Sequence, residues 1–553
     1  MKNTMFLILF GLLFTLTANA QRSNRFTGRT PPGPVKVIKD SLFVNRTAQL
    51  QRIIDGFGNR GGRIEISGEI TLGNIQINKN NIHIDIKRGT TIKIAGGAST
   101  VFSVNNRKEG GPQISNIKIG CSNCDNKFAS NDAPGKRYVI DLSARRPNTK
   151  ANAISLGNVR NFSISHLYAR DNYTKINAIV CAAVVVTPPG DRDIPRFRKN
   201  LDVQGGPRDG DITYCHVNKG HSGYGLVQTQ AAMNVNFHYL SGVGGVTLRI
   251  ESGSVIAFVP TNEGRKARLD RIDGFEIKNK KGFAAILLQP HGAKQGTVVL
   301  KNIRSESSAS NIDISPGFRD RALAGLPDRE FGCNTCKFKR GTFERVTLQG
   351  VISHKFGNKA QNEAKLYNYY SKEFRDGASY AEKFAARRFA SPFSSTIEAR
   401  SNTPSIVNIL YSAADRGRTP VASEGQYRVF LGGADIRSTR LEGFESCTKN
   451  ILYKSDLKKV ACERDAPPSQ RNRSLNNRTE GNSIYPNPVS EMLTINYPEN
   501  SQVTIYNNLG TIIEKFAIKE VTRNMSVNHL SGGIYFARIL LNGKEITEKI
   551  IIK

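Results

Sequence analysis

The chain has 553 residues, of which 38% are hydrophobic and 23% charged, so it holds enough apolar material for a large core. This composition excludes a small disulfide scaffold and a wholly disordered chain. Lysine and arginine exceed aspartate and glutamate by 79 − 46 = 33 charges, which favours a polyanionic partner such as nucleic acid, an anionic membrane surface or an acidic polysaccharide.

The N-terminal segment predicts export. An apolar run from Met5 to Leu16 follows a lysine, and small residues stand at Ala18 and Ala20. This order is typical of a secretory signal peptide, which we assign to residues 1–20. Export makes nucleic acid a poor partner and an extracellular polyanion a good one. No later stretch is apolar for long enough to cross a bilayer as a helix, so we expect no membrane span.

A repetitive pattern predicts the fold of the main domain, residues 21–464. After a short amphipathic helix at Thr47 to Gly56, short runs of alternating apolar and polar residues recur as far as about residue 350, separated by turns rich in Asn, Gly or Ser. We expect these runs to form the coils of a right-handed parallel β-helix, so the fold class is all-β. A β-sandwich is the alternative, but two-residue Asn-Gly and Asp-Gly hairpin turns are sparse. Stacked coils expose a long flat face, which suits an extended polymer.

The amino-acid pattern changes between residues 358 and 400. The segment QNEAKLYNYYSKEFRDGASYAEKFAARRFA has helical spacing and few glycines, so we predict a helical insertion there. Such an insertion either caps the end of the solenoid or forms a lid over the binding face.

A separate block follows a polar linker at residues 465–482. Residues 483–553 alternate as short strands, and the block resembles the C-terminal sorting domain of the type IX secretion system, a small β-sandwich-like domain. The resemblance is carried by YPNP at 485–488, Tyr506 with Gly510, and GGIY at 532–535. It implies the type IX machinery as a partner and a product that is secreted or attached to the cell surface. A carbohydrate-binding sandwich is the alternative, although the block has few aromatic rings for stacking sugars.

Eight cysteines in an exported chain predict disulfides before metal sites. The expected pairs are Cys447–Cys462 and Cys181–Cys215, although spacing alone leaves the connectivity open. Two CxxC pairs have the spacing of a four-thiolate zinc site, which stays the alternative: Cys121 with Cys124, and Cys333 with Cys336. Calcium or sodium could bind structurally at turns, but no loop shows a regular ligand spacing.

Strand periodicity assembles a candidate site. If Leu248 and Ile250 face the core, Arg249 and Glu251 point outward together. Alignment of the next coil then sets Gln289 beside Glu251 and His291 just beyond it. The preceding coil, which begins at Tyr224, offers the outward pair Gln228 and Gln230. Because neighbouring coils lie about 4.8 Å apart, these side chains should form one cluster. A glutamate among amides, an imidazole and a guanidinium is a candidate general acid; the alternative is a surface glutamate paired with Arg249.

These segments, HSGYGLVQTQAAMNVNFHYLSGVGGVTLRIES and LLQPHGAKQG, resemble the iota-carrageenases of glycoside hydrolase family 82, and the resemblance extends over about residues 35–462. It implies that Glu251 is the acid, Gln228 an active-site glutamine and His291 a substrate-contacting histidine. It also implies inverting cleavage of β-1,4 bonds in a sulfated galactan, with a lid-like helical insertion. Sulfates would account for the arginine excess. We add Tyr224, Gln230, Arg249 and Gln289 as substrate-binding candidates.

One position departs from the family pattern. An aspartate is expected two residues after the acid, a separation of about 6.6 Å that suits inversion, but this chain has Gly253. Asp313, two coils and about 9.6 Å away, is the candidate replacement base, with Asp320 as a second possibility. The alternative is that Asp313 belongs to a ladder of surface polar residues.

Three functions follow from these patterns. The first is a secreted, endo-acting hydrolase of a sulfated galactan, with iota-carrageenan as the expected substrate; we expect a monomer that requires no cofactor. The second is a β-helix lyase that acts on a uronate polymer, with Arg249 or a lysine as base. The third is a non-catalytic binder of sulfated glycans, which the glycine at 253 would permit.

Overall fold

The computed structural model describes most of the two folded parts of the chain. The described residues are 23–186, 202–252, 267–291, 294–317, 340–361, 366, 369, 403–414, 425–431, 439–444, 446, 448–454, 456, 483–485, 489–508, 510–518, 522–541 and 544–552. The predicted signal peptide, the linker, most of the helical insertion, Gly253 and Asp320 lie outside these ranges, as do four cysteines: Cys333, Cys336, Cys447 and Cys462.

The chain divides into two compact units, residues 1–463 and 464–553. The first unit is a solenoid of parallel strands, so the predicted β-helix is confirmed. Each complete coil contributes one strand to each of three parallel sheets. In the coil from Ala232 to Ile250, residues 232–238 belong to the first sheet, 240–243 to the second and 246–250 to the third.

The N-terminal part of the solenoid contains one helix, α1 (Thr47–Gly56), which buries Leu50 and Ile54 in the common core, and two 3-10 turns, Phe128–Ser130 and Pro134–Lys136. Its strands are β1 (Val35–Asn45), β2 (Gly62–Leu72), β3 (Ile75–Ile77), β4 (Ile82–Ile86), β5 (Thr91–Ile94), β6 (Thr100–Val104), β7 (Ile114–Gly120), β8 (Tyr138–Asp141), β9 (Asn152–Leu156), β10 (Val159–Ser165), β11 (Leu167–Arg170) and β12 (Ile179–Cys181).

The rest of the solenoid carries the candidate site, and several of its strands run through a corner from one sheet into the next. Two short strands that precede it, β13 (Val184–Val186) and β14 (Asp202–Gly205), form a separate antiparallel pair. The solenoid strands that follow are β15 (Arg208–Thr213), β16 (His216–Thr229), β17 (Ala232–Ile250), β18 (Leu269–Lys280), β19 (Ala284–Leu288), β20 (Lys294–Glu306), β21 (Ser310–Ile314), β22 (Thr342–Lys355), β23 (Val407–Tyr411), β24 (Val429–Phe430), β25 (Thr439–Glu442) and β26 (Ile451–Tyr453).

Every second residue of a strand points into the solenoid. In the third sheet the inward row stacks branched aliphatic side chains from coil to coil, each no more than 1% exposed: Leu248, Ile286, Ile312 and Ile409. Branched side chains pack well on a pleated surface, and burial of each contributes about 1.5–3 kcal/mol. Asparagines form a hydrogen-bonded ladder at the entrance to this sheet, because Asn311 donates to Asn408 at 3.0 Å and Asn408 donates to Asn450 at 2.9 Å.

The corner between the first and second sheets is made by a residue in the left-handed conformation. From coil to coil these corner residues, with φ between 52° and 66°, are His166, Tyr214, Tyr239, Glu276, Asn302 and Gly350. Side chains at neighbouring corners stack on one another: the rings of Tyr214 and Tyr239 are 4.6 Å apart, and those of His166 and Tyr214 are 5.4 Å apart. Such stacking helps to offset the strain of a left-handed backbone at non-glycine residues.

The second unit is built from two antiparallel sheets that share one apolar core. Its strands are β27 (Ser483–Tyr485), β28 (Met492–Asn496), β29 (Gln502–Asn507), β30 (Ile512–Ala517), β31 (Thr522–Ser526), β32 (Gly533–Leu541) and β33 (Lys544–Ile552). The order of the strands is β27–β28–β31 in one sheet and β30–β29–β32–β33 in the other.

The cysteines partly contradict the predictions. Cys121 and Cys124 form a disulfide with their Cα atoms 5.4 Å apart, so a zinc site at this CxxC pair was a wrong alternative. The predicted Cys181–Cys215 bridge is also wrong, since both are free thiols buried in the core. Cys181 ends β12 in the third sheet, whereas Cys215 lies at the corner between the first and second sheets, so the two occupy different sides of their coils. Within the described residues, no helix is both long enough and apolar enough to cross a bilayer.

Candidate active site

The candidate site lies on the outer face of the third sheet. Aligned positions in consecutive coils form one outward row: Val180, Gln228, Arg249, Leu287, Asp313 and Leu410. Arg249 and Glu251 lie on the same side of their strand, as period-two geometry predicted, because Leu248 and Ile250 are fully buried in the core.

A tight turn fixes where the central strand of the site begins. Gly245 has a φ of +61°, and a Cβ atom placed on it would lie 2.3 Å from the carbonyl oxygen of Tyr224, so only glycine fits. The side chain of Gln361 braces this turn. Its Oε1 accepts a hydrogen bond from the Gly245 backbone at 2.5 Å, and its Nε2 donates to the Gly220 carbonyl at 2.9 Å.

Glu251 is the centre of the cluster and is only 5% exposed. Its Oε1 lies 2.7 Å from Nε2 of His291, and its Oε2 accepts a hydrogen bond from Nε2 of Gln228 at 3.1 Å. The same Oε2 forms an ion pair with the guanidinium of Arg249. Three of the side chains that sequence spacing brought towards Glu251 therefore contact it: His291, Gln228 and Arg249.

The charges around Glu251 determine its ionisation. Burial by itself raises the pKa of this carboxyl group, but the neighbouring Arg249 and the hydrogen bond from His291 outweigh burial and hold the pKa at about 2. Glu251 is therefore an ionised carboxylate at neutral pH in this arrangement. A proton donor needs a higher pKa, so the acid role requires a change in the surroundings of Glu251.

Ser252 positions His291, a contact that strand periodicity did not indicate. The Oγ of Ser252 accepts a hydrogen bond from the His291 backbone N–H at 2.8 Å and lies 2.7 Å from the His291 carbonyl oxygen, to which it donates. Ser252 is fully buried and directly follows Glu251. The histidine is thus held by the residue next to the carboxylate that it contacts, which fixes the separation between the two side chains.

Arg249 reaches back to the preceding coil. Its guanidinium lies over the ring of Tyr224, 5.3 Å from the ring centroid, and donates a hydrogen bond to the Gly223 carbonyl. The Tyr224 ring also meets the His221 ring edge-on at 5.6 Å. His221 is a further member of the site that the sequence did not indicate; its Nε2 lies 2.8 Å from Oδ1 of Asn148, and burial lowers its pKa to about 4.

The remaining predicted substrate-binding residues lie at the ends of their strands. Gln230 follows β16 with the same parity as Gln228, and Gln289 follows β19 with the same parity as Leu287. Both side chains are half-buried, and both backbones remain hydrogen-bonded to the neighbouring coil. They extend the row of Glu251 towards the edge of the sheet.

Asp313 belongs to the outward row, as predicted, two coils beyond Arg249, but it is fully buried. Its Oδ1 accepts a hydrogen bond from Ser315 at 2.8 Å. The aligned positions on either side are Leu287 and Leu410, which belong to a second apolar cluster that includes Leu366 and Tyr369 of the insertion. The described part of the insertion therefore covers this end of the row.

Comparisons with known proteins find separate similarities for the C-terminal block and for the rest of the chain. Residues 483–553 match the family model described as the secretion system C-terminal sorting domain. Two curated relatives are similar to this chain, and both are named iota-carrageenase. One, from Zobellia galactanivorans, is 28% identical over 52% of this chain and 55% of its own length; the other, from Alteromonas macleodii, is 28% identical over 49% of each chain. The chain thus spans about half the length of these relatives.

Solved structures establish the fold. An iota-carrageenase complexed to iota-carrageenan fragments has a TM-score of 0.57 at 19% identity, over 79% of this chain and 95% of that one. A family GH82 iota-carrageenase from A. fortis, solved in the absence of chloride ions, has a TM-score of 0.58 at 19% identity, over 79% of this chain and 94% of that one. The solenoid has the iota-carrageenase fold. The predicted resemblance is confirmed, and with its sorting domain the protein is secreted or attached to the cell surface.

Two features of the site come from the residues of this chain rather than from the fold. The position two residues after Glu251 is Gly253, which cannot supply a carboxylate. Within the described ranges, no group of three or more His, Cys, Asp or Glu residues lies close enough together to hold a metal ion.

Proposed function

We propose that the protein is an endo-acting glycoside hydrolase that cleaves β-1,4 linkages of a sulfated galactan with inversion, and that iota-carrageenan is its substrate. The observation that carries this proposal is the contact between Glu251 and His291, set beside the Arg249 guanidinium on the outer face of a β-helix. The likeness to proteins named iota-carrageenase supports the choice of polymer. The reaction as proposed requires no cofactor.

Glu251 acts as the proton donor once substrate is bound. Its carboxylate is held ionised by Arg249, which forms planar paired hydrogen bonds readily with sulfate as well as with carboxylate. A substrate sulfate that draws Arg249 away removes the main cause of the low pKa. Burial then raises the pKa of Glu251, so that the carboxylate takes up a proton from solvent and donates it to the leaving oxygen, while His291 keeps its contact with Oε1.

Gln228 and His291 keep the acid in place. Gln228 donates to the oxygen of Glu251 that faces Arg249, and His291 contacts the other oxygen. The carboxyl group therefore keeps its orientation when Arg249 moves. In this proposal Tyr224, Gln230 and Gln289 contact the sugar rings on either side of the cleaved bond; their place on the outer face near Glu251 supports the assignment.

The proposed reaction does not use Asp313 as its base in the described arrangement. A general base must contact the attacking water, whereas the carboxyl group of Asp313 is fully buried beside Leu287 and Leu410. In an inverting hydrolysis, the attacking water would have to be held by other groups along the outward row of the third sheet.

The sorting domain indicates how the protein reaches its substrate. We propose that the type IX secretion machinery recognises residues 483–553 and delivers the solenoid to the outside, where sulfated polysaccharide is met. A sulfated polymer is negatively charged, and a protein with a net charge of +33 would attract it.

The decisive experiment follows reducing ends after incubation with iota-, kappa- and lambda-carrageenan. We expect new ends with iota-carrageenan and a loss of about 10²–10⁴-fold in kcat for Glu251→Gln, because that range is typical for a general acid. Glu344→Gln, an exposed glutamate of β22 in the first sheet, is the matched control. Full activity of Glu251→Gln would refute the assignment of the acid. Products that absorb in the ultraviolet would instead indicate a lyase.

A second candidate function is a non-catalytic binder of sulfated glycans, which Gly253 favours because the expected carboxylate is absent from the sequence. In that case iota-carrageenan would be bound in a salt-sensitive manner but never cleaved. Both functions predict binding that weakens as salt is added, so only the appearance of new reducing ends separates them.

A further inference from the structure

The second sheet carries another trough, on a different wall of the coils from Glu251. Its floor is the outward row of the second sheet, aligned from coil to coil: His216, Ser241, Lys278, Arg304, Ser353 and Arg440. The cavity above this row has a volume of about 620 Å³, which lies within the range of about 300–1,000 Å³ that is usual for ligand sites.

The trough has an excess of positive charge. Five cationic and three acidic side chains line it, a balance of 5 − 3 = +2. Two of the three carboxylates are engaged by lysines at the side of the row: Glu306 lies 3.0 Å from Lys280, and Glu442 lies 3.3 Å from Lys355. The excess charge is therefore concentrated on the floor, at Lys278, Arg304 and Arg440.

Two of the floor cations are forced close together. Lys278 and Arg304 occupy aligned positions in neighbouring coils, which lie about 4.8 Å apart, and both are half-buried. Glu276 is 3.8 Å from Arg304, at the long end of an ion pair. Burial and the charge of Arg304 lower the pKa of Lys278. An anion placed between the two cations would relieve this repulsion.

The N-terminal end of the trough is aromatic. The ammonium group of Lys278 lies over the ring of Phe128, 4.2 Å from its centroid, and the Phe128 ring packs edge-on against Tyr239. Aromatic rings offer sugars an apolar face, while a row of cations offers anionic groups regularly spaced partners. The combination fits a sulfated sugar chain better than a free inorganic anion, which would need no ring.

We propose that this trough is a second binding site for sulfated polysaccharide, separate from the site of cleavage. The inference rests on the proposed function for the identity of the polymer, iota-carrageenan. A second contact on the same polymer would raise the effective concentration of chain near Glu251 without a change in the reaction itself. The site should thus matter for long chains and be irrelevant for short ones.

The test compares Lys278→Ala/Arg304→Ala with a control that removes two exposed cations from the first sheet, Lys118→Ala/Arg160→Ala. In full-length protein that also carries Glu251→Gln, we measure binding of iota-carrageenan polymer at moderate salt. Loss of two charge-assisted contacts should weaken binding about fivefold to tenfold, whereas the control should bind within about twofold of its parent. Without Glu251→Gln, turnover of the polymer should fall and turnover of short oligosaccharides should not.

Equal binding of the polymer by the two double variants would overturn the proposal. It would also be overturned if the trough variant lost as much turnover of short oligosaccharides as of the polymer. If the trough variant folds poorly by circular dichroism, the single variant Arg304→Gln is measured against Arg160→Gln with the same expectations. The outcome is independent of the cleavage reaction: polymer that is never cleaved, yet is bound less well by the trough variant, would refute the proposed function and support this site.

Discussion

The two troughs of the solenoid hold similar cations but neutralise them differently. On the third sheet, Arg249 is paired with Glu251, and both side chains are largely shielded from solvent. On the second sheet, Lys278 and Arg304 are neighbours of like charge, and most of the nearby carboxylates bind other lysines. A cation that already has a buried partner can act as a switch for that partner, whereas adjacent cations in excess form a surface for anions. The same substitution should therefore have different effects on the two walls.

The largest difference should appear when an arginine is removed from each wall. Arg249→Met leaves Glu251 as a buried charge without its main counter-ion, which should cost about 3–5 kcal/mol in the free energy of unfolding. Arg304→Met removes a half-exposed cation and should cost less than about 1 kcal/mol. Urea unfolding of the two variants measures both values. Similar losses would show that the two walls do not differ as described.

The pH dependence of stability should follow Glu251. Its pKa is about 2 in the folded protein and 4.5 ordinarily, so folding favours the ionised form. The resulting stabilisation, about 3 kcal/mol, should be complete above pH 4.5 and should disappear as the pH falls towards 2. Denaturation of wild type and Glu251→Gln between pH 2.5 and 7 measures it. The stability difference between them should be constant above about pH 5, and a difference that grows on acidification would contradict the assignment.

Ser252 should have a smaller, specific effect. Ser252→Ala removes both hydrogen bonds to the His291 backbone, which should cost about 1–3 kcal/mol because Ser252 is fully buried and the backbone groups of His291 are partly so. We expect kcat to fall by about threefold to tenfold with little change in KM, since the histidine is displaced but the row that binds sugar is intact. Ser252→Thr keeps the hydroxyl group and should recover most of the kcat. A change in KM alone would point to a binding role instead.

Asp313→Asn should have the smallest effect on activity. Because the side chain is fully buried beside apolar neighbours, we expect kcat to stay within about twofold of wild type and any change to appear in stability. Initial rates with iota-carrageenan, corrected for the folded fraction, measure this. A loss as large as that of Glu251→Gln would show that substrate binding uncovers Asp313 and makes it the base.

The sequence was sufficient for features that depend only on strand period and coil register. Alternation placed Arg249 and Glu251 on one face, and alignment of the next coil brought His291 to them. It could not show that Asp313 would be covered, since that depends on how residues far along the chain, Leu366 and Tyr369, pack against the row. The Ser252 contact was missed for a similar reason, because it joins a side chain to a backbone rather than to another patterned side chain.

The left-handed corners have a consequence for how this architecture can vary. A corner residue such as Tyr239 leaves almost no room for extra length between the first and second sheets. The connection from the second sheet to the third can vary in length. It is two glycines long between Val243 and Val246, whereas residues 356–406 connect Lys355 to Val407. Insertions are thereby directed to the borders of the sheet that carries Glu251. New subsites could evolve there while the stacking of the coils, and with it the catalytic cluster, stays unchanged.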